Sequence, residues 1–359
     1  MSEGLNIYNK ETREAVGLLS GMIEIPSLSR DEGEVVDYLI SYFKTKDLDT
    51  DRHGNNIWLK SKKWNNDMPT ILLNSHTDTV KPAESYALEP YQAIHREGRL
   101  YGLGSNDAGG PLVSLIQTFL HYHDMEGLPY NLILAATAEE EISGANGVAS
   151  VLPQLGIIDL GIVGEPTQMN LAIAEKGLIV LDCEAIGISG HAARDEGANA
   201  IYKALTEIEK LKSYRFDKES KWLGPIKKTV TMIEAGTQHN VVPDRCKFVV
   251  DVRTTDAYSN METVDQIKQL MDVQVSPRSV RLNPSGLPAT HPIVERGIGL
   301  GMEVYGSPTL SDQSLMSFDT VKIGPGDSAR SHTADEYIGI NEIEEGISGY
   351  INLLKDLKL

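Results

Sequence analysis

Apolar positions in the first part of the chain fall into two spacings. Across residues 31–47, Val35, Val36, Leu39, Ile40 and Phe43 recur at helical intervals, which predicts an amphipathic helix with Asp31 at its cap. Residues 71–73, 132–136 and 160–163 are short apolar runs bounded by polar or glycine-rich segments, the texture of strands buried in a parallel sheet. Gly109, Gly110 and Pro111 open the apolar stretch 112–120, with Pro111 suited to a first helical turn. From about Lys176 the texture changes. Residues 178–186, 229–233 and 248–252 read as longer strands, with helices at 198–211 and 263–271 between them. Beyond about Leu287 the first texture resumes, with a strand at 321–323 and a closing helix at 342–357. The pattern predicts an α/β domain, residues 1–175 and 286–359, interrupted by a smaller α+β domain at 176–285. There is no internal repeat.

A length of 359 residues fits two domains, and 41% hydrophobic residues supply a sizeable core. The net charge of −18 argues against nucleic acid or an anionic membrane as partner, because nothing offsets phosphate charge. The acidic surplus fits a solvated surface, and also carboxylates that await divalent cations. Cys183 and Cys246 lie in separate apolar runs and read as buried free thiols of a reduced protein. The first residues are polar, without the apolar centre of a signal peptide, and no run reaches membrane-span length. The expected location is cytoplasmic.

The candidate chemistry sits where the strands end. His76 and Asp78 follow the run 71–73, and ligands of open α/β sheets bind beyond the carboxyl ends of strands. A metal-bound imidazole usually donates its second N–H to a carboxylate, and Asp78 shares the side-chain direction of His76 in an extended segment. By itself, His-x-Asp also describes a surface histidine. Asp107 is enclosed by Gly102, Gly104, Gly109 and Gly110 just before a helix. The lysine of a phosphate-binding loop is absent, and the aspartate would repel phosphate, so a cation suits the loop better. Glu139, Glu140 and Glu141 follow the run 132–136, where neighbouring acids repel one another unless a cation absorbs the charge. Glu165 follows 160–163, and His332 lies beyond the turn Gly324-Pro325-Gly326. Two histidines with several carboxylates form a ligand set for zinc, cobalt or manganese. The excess over one tetrahedral shell suggests two ions sharing an aspartate, with one glutamate left for proton transfer.

In order along nearly the whole chain, SHTDT (75–79), GLGSNDAGG (102–110), TAEEEISG (137–144), GEPT (164–167), EKG (175–177), GISGHAAR (187–194), NVVPDRCKFVVDVR (240–253) and GPGDSARSHTADEY (324–337) resemble the co-catalytic zinc amidohydrolase family. Acetylornithine deacetylase, succinyl-diaminopimelate desuccinylase, aminoacylase and carboxypeptidase G belong to that family. The resemblance implies a zinc-peptidase-like catalytic domain whose mixed, largely parallel sheet is flanked by helices. It also implies an inserted lid domain through which two copies form a homodimer, and two Zn2+ (or Co2+) ions per subunit. By matching motif, His76, Asp107 and Glu165 would hold one ion, and Asp107, Glu141 and His332 the other, Asp107 bridging. Glu140 matches the general base, with Glu139 where the family usually has aspartate. The alternative frame, Glu139 as base and Glu140 as ligand, fits the following Ile142-Ser143-Gly144 less well.

His191 resembles the lid histidine that reaches the partner's active site and supports the oxyanion. Asn240, Arg253 and Gly324 match positions that grip the substrate, Arg253 on its α-carboxylate. A lid-surface histidine and a structural ion pair are the plainer readings of His191 and Arg253. Two departures stand out: Ala108 follows the bridging aspartate where the family often has a bulkier or charged residue, and Arg194-Asp195-Glu196 replaces a proline common after the lid histidine. The implied activity is removal of the acyl group from a small N-acyl amino acid, with N-acetylornithine leading. Desuccinylase, N-acetylcitrulline deacetylase, aminoacylase and dipeptidase are the alternatives on the same scaffold. A non-catalytic relative would lack a ligand or the base, and this sequence lacks neither.

Overall fold

The computed structural model describes residues 7–194 and 196–359. The chain divides into two compact units. The larger runs up to Ile173 and continues in Leu287–Tyr305 and Ser311–Leu359; the smaller holds Ala174–Gly286 and Gly306–Leu310.

The larger unit is built on a mixed sheet. Its strands lie in the order Asp51–His53, Asn56–Lys60, Asn131–Thr137, Thr70–His76, Leu160–Val163, Thr320–Lys322 and Leu171–Glu175. The four from Asn131–Thr137 to Thr320–Lys322 run parallel, and the flanking pairings are antiparallel. Every residue of Thr70–His76 and Asn131–Thr137 is buried, which is why these strands read as continuous apolar runs instead of alternating ones. On one face Trp58, Leu72, Ile133, Ala135 and Val163 pack against the helix Val148–Leu155. The helix Gly110–Tyr122 packs on Thr70–His76 and Asn131–Thr137, and against the helices Lys10–Ile23 and Ile340–Leu354. Parallel register then makes the strands end together. His76 is opposite Thr137, Asn74 opposite Val163, and Val163 opposite Lys322. The four following loops therefore leave the sheet along one edge.

Two local outcomes differ from the sequence reading. The predicted helix 31–47 forms as Gly33–Lys44, and its cap is Glu32, not Asp31. The Glu32 carboxylate turns back to accept from the N–H groups of Arg30 and Glu139, so it is fully buried, whereas Asp31 is exposed. The helix Lys10–Ile23 carries no signal in that reading. It is capped by Asn9, whose side chain accepts from the Thr12 N–H, and it buries Ala15, Val16, Leu19 and Ile23.

The smaller unit is a four-stranded antiparallel sheet in the order Lys227–Ala235, Arg245–Thr254, Gly177–Ile186, Gln274–Pro277. Burial alternates along Gly177–Ile186, as expected of a sheet covered on one face. Ile179, Leu181, Phe248, Val250 and Val252 form its core with Ala200, Ala204 and Leu211 of the helix Ala200–Ser213 and Val264 and Ile267 of the helix Asn260–Leu270. Asn199 caps the first helix, and Ser259 with Glu262 forms a reciprocal capping box on the second. Cys183 and Cys246 are free and buried in this core. Among the described residues no helix is long and apolar enough to cross a membrane.

Candidate metal centre

The strand Thr70–His76 delivers His76 at its last position, 2% exposed. The ring Nδ1 lies 2.9 Å from the Asp78 carbonyl oxygen, an acceptor only, so Nδ1 carries the proton. That leaves Nε2 as the nitrogen that faces the acids, Asp107 Oδ1 at 3.3 Å and Glu165 Oε1 at 3.9 Å. The carboxylate of Asp78 is also close, with Oδ1 3.4 Å from Nδ1. Its hydrogen bonds, however, come from the N–H groups of Glu140 and Glu141 at 3.0 and 3.2 Å and from Ser29 Oγ at 2.7 Å. Asp78 thus orients the imidazole partly through its own backbone and spends its side chain on the glutamate turn.

Asp107 sits in the glycine loop, and the peptide bond after it is cis. Gly104 has φ +74°, and a Cβ there would meet the Thr79 methyl at 2.5 Å, so the loop needs glycine at this point. Asp107 turns Oδ1 toward His76 and Oδ2 toward His332 Nε2, 3.6 Å away. His332 Nε2 in turn lies 3.0 Å from Glu141 Oε2. Two groups result, His76 with Asp107 and Glu165, and Asp107 with Glu141 and His332, the ligand atoms of each lying within 4.8 Å of one another. Ligand atoms about 2.0–2.2 Å from one tetrahedral ion stand roughly 3.3–3.6 Å apart. The nitrogen–oxygen separations here, 3.3 and 3.9 Å in the first group and 3.6 and 3.0 Å in the second, bracket that spacing, and the donor type suits zinc, cobalt or manganese.

Glu140 and Glu139 part company in the turn after Asn131–Thr137. Glu140 Oε2 lies 4.0 Å from His76 Nε2, within the acid cluster. Glu139 is buried instead against the following loop, its two oxygens accepting from the Asn146 N–H and side-chain amide. The site's electrostatics follow from packing acids around two imidazoles. Burial pushes the Glu140 carboxyl well above its ordinary range; His76 opposes the rise, and Glu165, Asp312 and Glu141 add to it. Burial works against a proton on His76, but Asp107, Asp78, Glu140 and Glu165 together hold that imidazole well above 6.5. The hydrogen bond to Glu141 raises His332 to about 9 against its partial burial, helped by Asp107 and Glu336. Protons do here what a cation would do better: they screen carboxylates from one another.

Three buried acids outside the expected set support the centre. Asp312 accepts from Asn74 Nδ2 and Thr137 Oγ1 at 2.9 and 3.0 Å, and burial raises it to about 6. Glu32 holds the Glu139 N–H. Glu336 accepts from the N–H groups of Gly104, Asn106 and Asp107.

Residues 72–356 match peptidase family M20/M25/M40, more than half of the chain. The chain belongs to peptidase family M20/M25/M40. As a member it is a hydrolase of amide or peptide bonds. It is 26% identical over 339 residues to a Pyrobaculum aerophilum protein named as a LysW-lysine/LysW-ornithine hydrolase, covering 91% of this chain and 93% of that one. It is 25% identical over 331 residues to a succinyl-diaminopimelate desuccinylase of Methylococcus capsulatus, covering 84% and 86%. Its fold is that of the aminopeptidase PepT of Bacillus cereus, with a TM-score of 0.76 at 17% identity over 96% of this chain and 98% of that one. It is also that of a dinuclear metal-binding family peptidase of Bacillus subtilis, with a TM-score of 0.71 at 14% identity over 96% and 97%.

The other residues that resemblance singled out in this family member have surroundings of their own. His191, Asn240 and Arg253 belong to the smaller unit. His191 is exposed in the short strand Gly190–His191 and accepts from the Ala193 N–H; the Asn240 carbonyl accepts from the Ala192 N–H. Arg253 lies on Arg245–Thr254, where Asp251 engages its Nε and Nη2 at 2.9 and 3.2 Å. Gly324, in the larger unit, donates its N–H to Thr167 Oγ1, and a Cβ there would meet the Glu165 carbonyl at 2.5 Å. Of the stretch Arg194-Asp195-Glu196, Asp195 lies outside the described residues.

Proposed function

We propose that this protein removes the acyl group from the amine of a small N-acyl amino acid, N-acetylornithine first among them. It would do so with two zinc or cobalt ions, one held by His76, Asp107 and Glu165 and the other by Asp107, Glu141 and His332. The observation that carries the reading is Asp107, which turns one carboxylate oxygen into each group, with Glu140 alongside. The Bacillus subtilis neighbour is a dinuclear metal-binding peptidase, and the named relatives act on derivatives of lysine, ornithine or diaminopimelate, all diamino acids.

When bound, the ions polarise the amide carbonyl and bring the pKa of water toward neutrality. Glu140 takes the proton of the attacking water at its carboxylate and returns it to the leaving amine nitrogen. Glu139 is a poor base, since Asn146 already occupies both its oxygens. In the same reading His191 steadies the oxyanion across a homodimer joined through the smaller unit. Arg253, pre-aimed by Asp251, takes the α-carboxylate. Asn240 and Gly324 line the substrate. Two free, buried thiols fit a reducing cytoplasmic setting.

The test is a panel of acetyl and succinyl derivatives of ornithine, citrulline and diaminopimelate, assayed with zinc or cobalt. The highest kcat/KM is expected on N-acetylornithine. The desuccinylase relative favours a second reading, and a preference of about tenfold or more for a succinyl derivative would establish it in place of the first. Metal-loaded protein that cleaves no member of the panel would end both.

A further inference from the structure

Glu336 is 2% exposed, and its bonds converge on one short loop. Oε2 accepts from the Gly104 N–H at 3.0 Å, and Oε1 from the N–H groups of Asn106 and Asp107 at 2.8 and 2.9 Å. A left-handed glycine at 104 opens this loop, and none of these three N–H groups is held by a sheet ladder. The Asn106 side chain adds a second anchor, donating to the Asp327 carbonyl and accepting from the Asp327 N–H, both at 3.0 Å. Asp335, next to Glu336, accepts from the N–H groups of Ala87 and Leu88. The segment that carries His332 thus also carries the clamp on Asp107, four residues further on.

We propose that Glu336 is the positioning residue of the centre: by gathering three backbone N–H groups of the glycine loop it aims both oxygens of Asp107 and ties them in register with His332. The inference rests on the two-ion reading above. A buried carboxylate near a site could serve stability alone. Here, though, two of the three N–H groups belong to Asp107 and the residue before it, so a shift of Glu336 is a shift of the shared ligand. Residues that orient ligands from behind typically set metal affinity by about 10–100-fold.

The experiment is Zn2+ binding, measured by competition with a chromogenic chelator, for wild type, Glu336→Gln and Glu336→Asp, with urea unfolding of the metal-free proteins alongside. Glutamine keeps the size but sets an N–H donor against a backbone N–H. Aspartate keeps the charge but withdraws it by one methylene. Whichever variant folds decides the matter. The expected result is two equivalents, both weakened by about 10–100-fold, with kcat lowered at saturating zinc and KM within about twofold of wild type. Unchanged zinc affinity with a lower urea midpoint would reduce Glu336 to a structural acid and overturn the proposal. So would weakening of one equivalent only, because Asp107 belongs to both groups. A wild type that takes up no zinc sinks the two-ion reading, and this inference with it.

Discussion

The two ligand groups share Asp107 and reach it by different means. His76 ends a strand in which every residue is buried, and its side chain is 1% exposed; His332 is 54% exposed, on a loop, with φ at +59°. His76 is placed by the register that sets it opposite Thr137, and its ring is locked by the Asp78 carbonyl. His332 and Glu141 have no ladder behind them. The turn of Glu141 is held by buried carboxylates that collect backbone N–H groups, Asp78 under Glu140 and Glu141 and Glu32 under Glu139, and Glu336, four residues beyond His332, does the same for the loop of the shared Asp107. Sheet register places the histidine of one half, while buried acids hold the loops that carry Glu141 and the shared Asp107. The second device costs more, because each such carboxylate must be desolvated and satisfied. It also leaves His332 open to solvent, although the Glu141 side chain beside it is buried.

The largest expected effect separates chemistry from metal holding in both halves. Glu140→Ala is predicted to lower kcat by about 10^2–10^4-fold while both equivalents of zinc stay bound. Loss of an equivalent in that variant, measured by elemental analysis, would make Glu140 a ligand and return the base to Glu139.

A smaller effect sharpens the contrast between the halves. Stepwise removal by a chelator is predicted to take the ion at Glu141 and His332 first, with an affinity at least about tenfold weaker than at His76 and Glu165. Simultaneous release would erase the distinction.

The smallest effect is a pH dependence confined to metal-free protein. Folding holds the His332 imidazole at about 9, against an ordinary value near 6.5, so folding favours its charged form. The stability it adds is complete below about pH 6.5 and is lost as pH rises through about 9. Urea midpoints of metal-free protein are therefore expected to fall across that window. His332→Ala should reduce the change, His76 supplying the remainder, and saturating zinc should flatten it, because a ligating imidazole is neutral throughout.

Much of the inner half was legible because buried parallel strands announce themselves as apolar runs, and His76, Glu140 and Glu165 stand just beyond three of them. The outer half was legible mainly through motif resemblance. His332 follows a glycine-rich turn, with no periodicity to place it. The supporting acids were hidden for a different reason. Asp312 comes from the short turn Asp312–Leu315 to meet Asn74, 238 positions away in sequence, and no local pattern encodes such a pairing. The pattern of residues 31–47 points to Asp31 as the cap and says nothing of Glu32; only the fold shows that Glu32 is spent on Glu139. Glu336 lies within the stretch 324–337, where nothing in the sequence signals the backbone N–H groups it holds. His191, Asn240, Arg253 and Gly324 were named by resemblance alone.

The most direct measurement of the shared-aspartate centre is zinc stoichiometry in three proteins: wild type, His332→Ala and Asp107→Asn. The predicted result is two equivalents, one, and none above the affinity of an ordinary acidic surface. Two tightly bound equivalents in Asp107→Asn, or loss of both in His332→Ala, would contradict a pair of ions joined through Asp107.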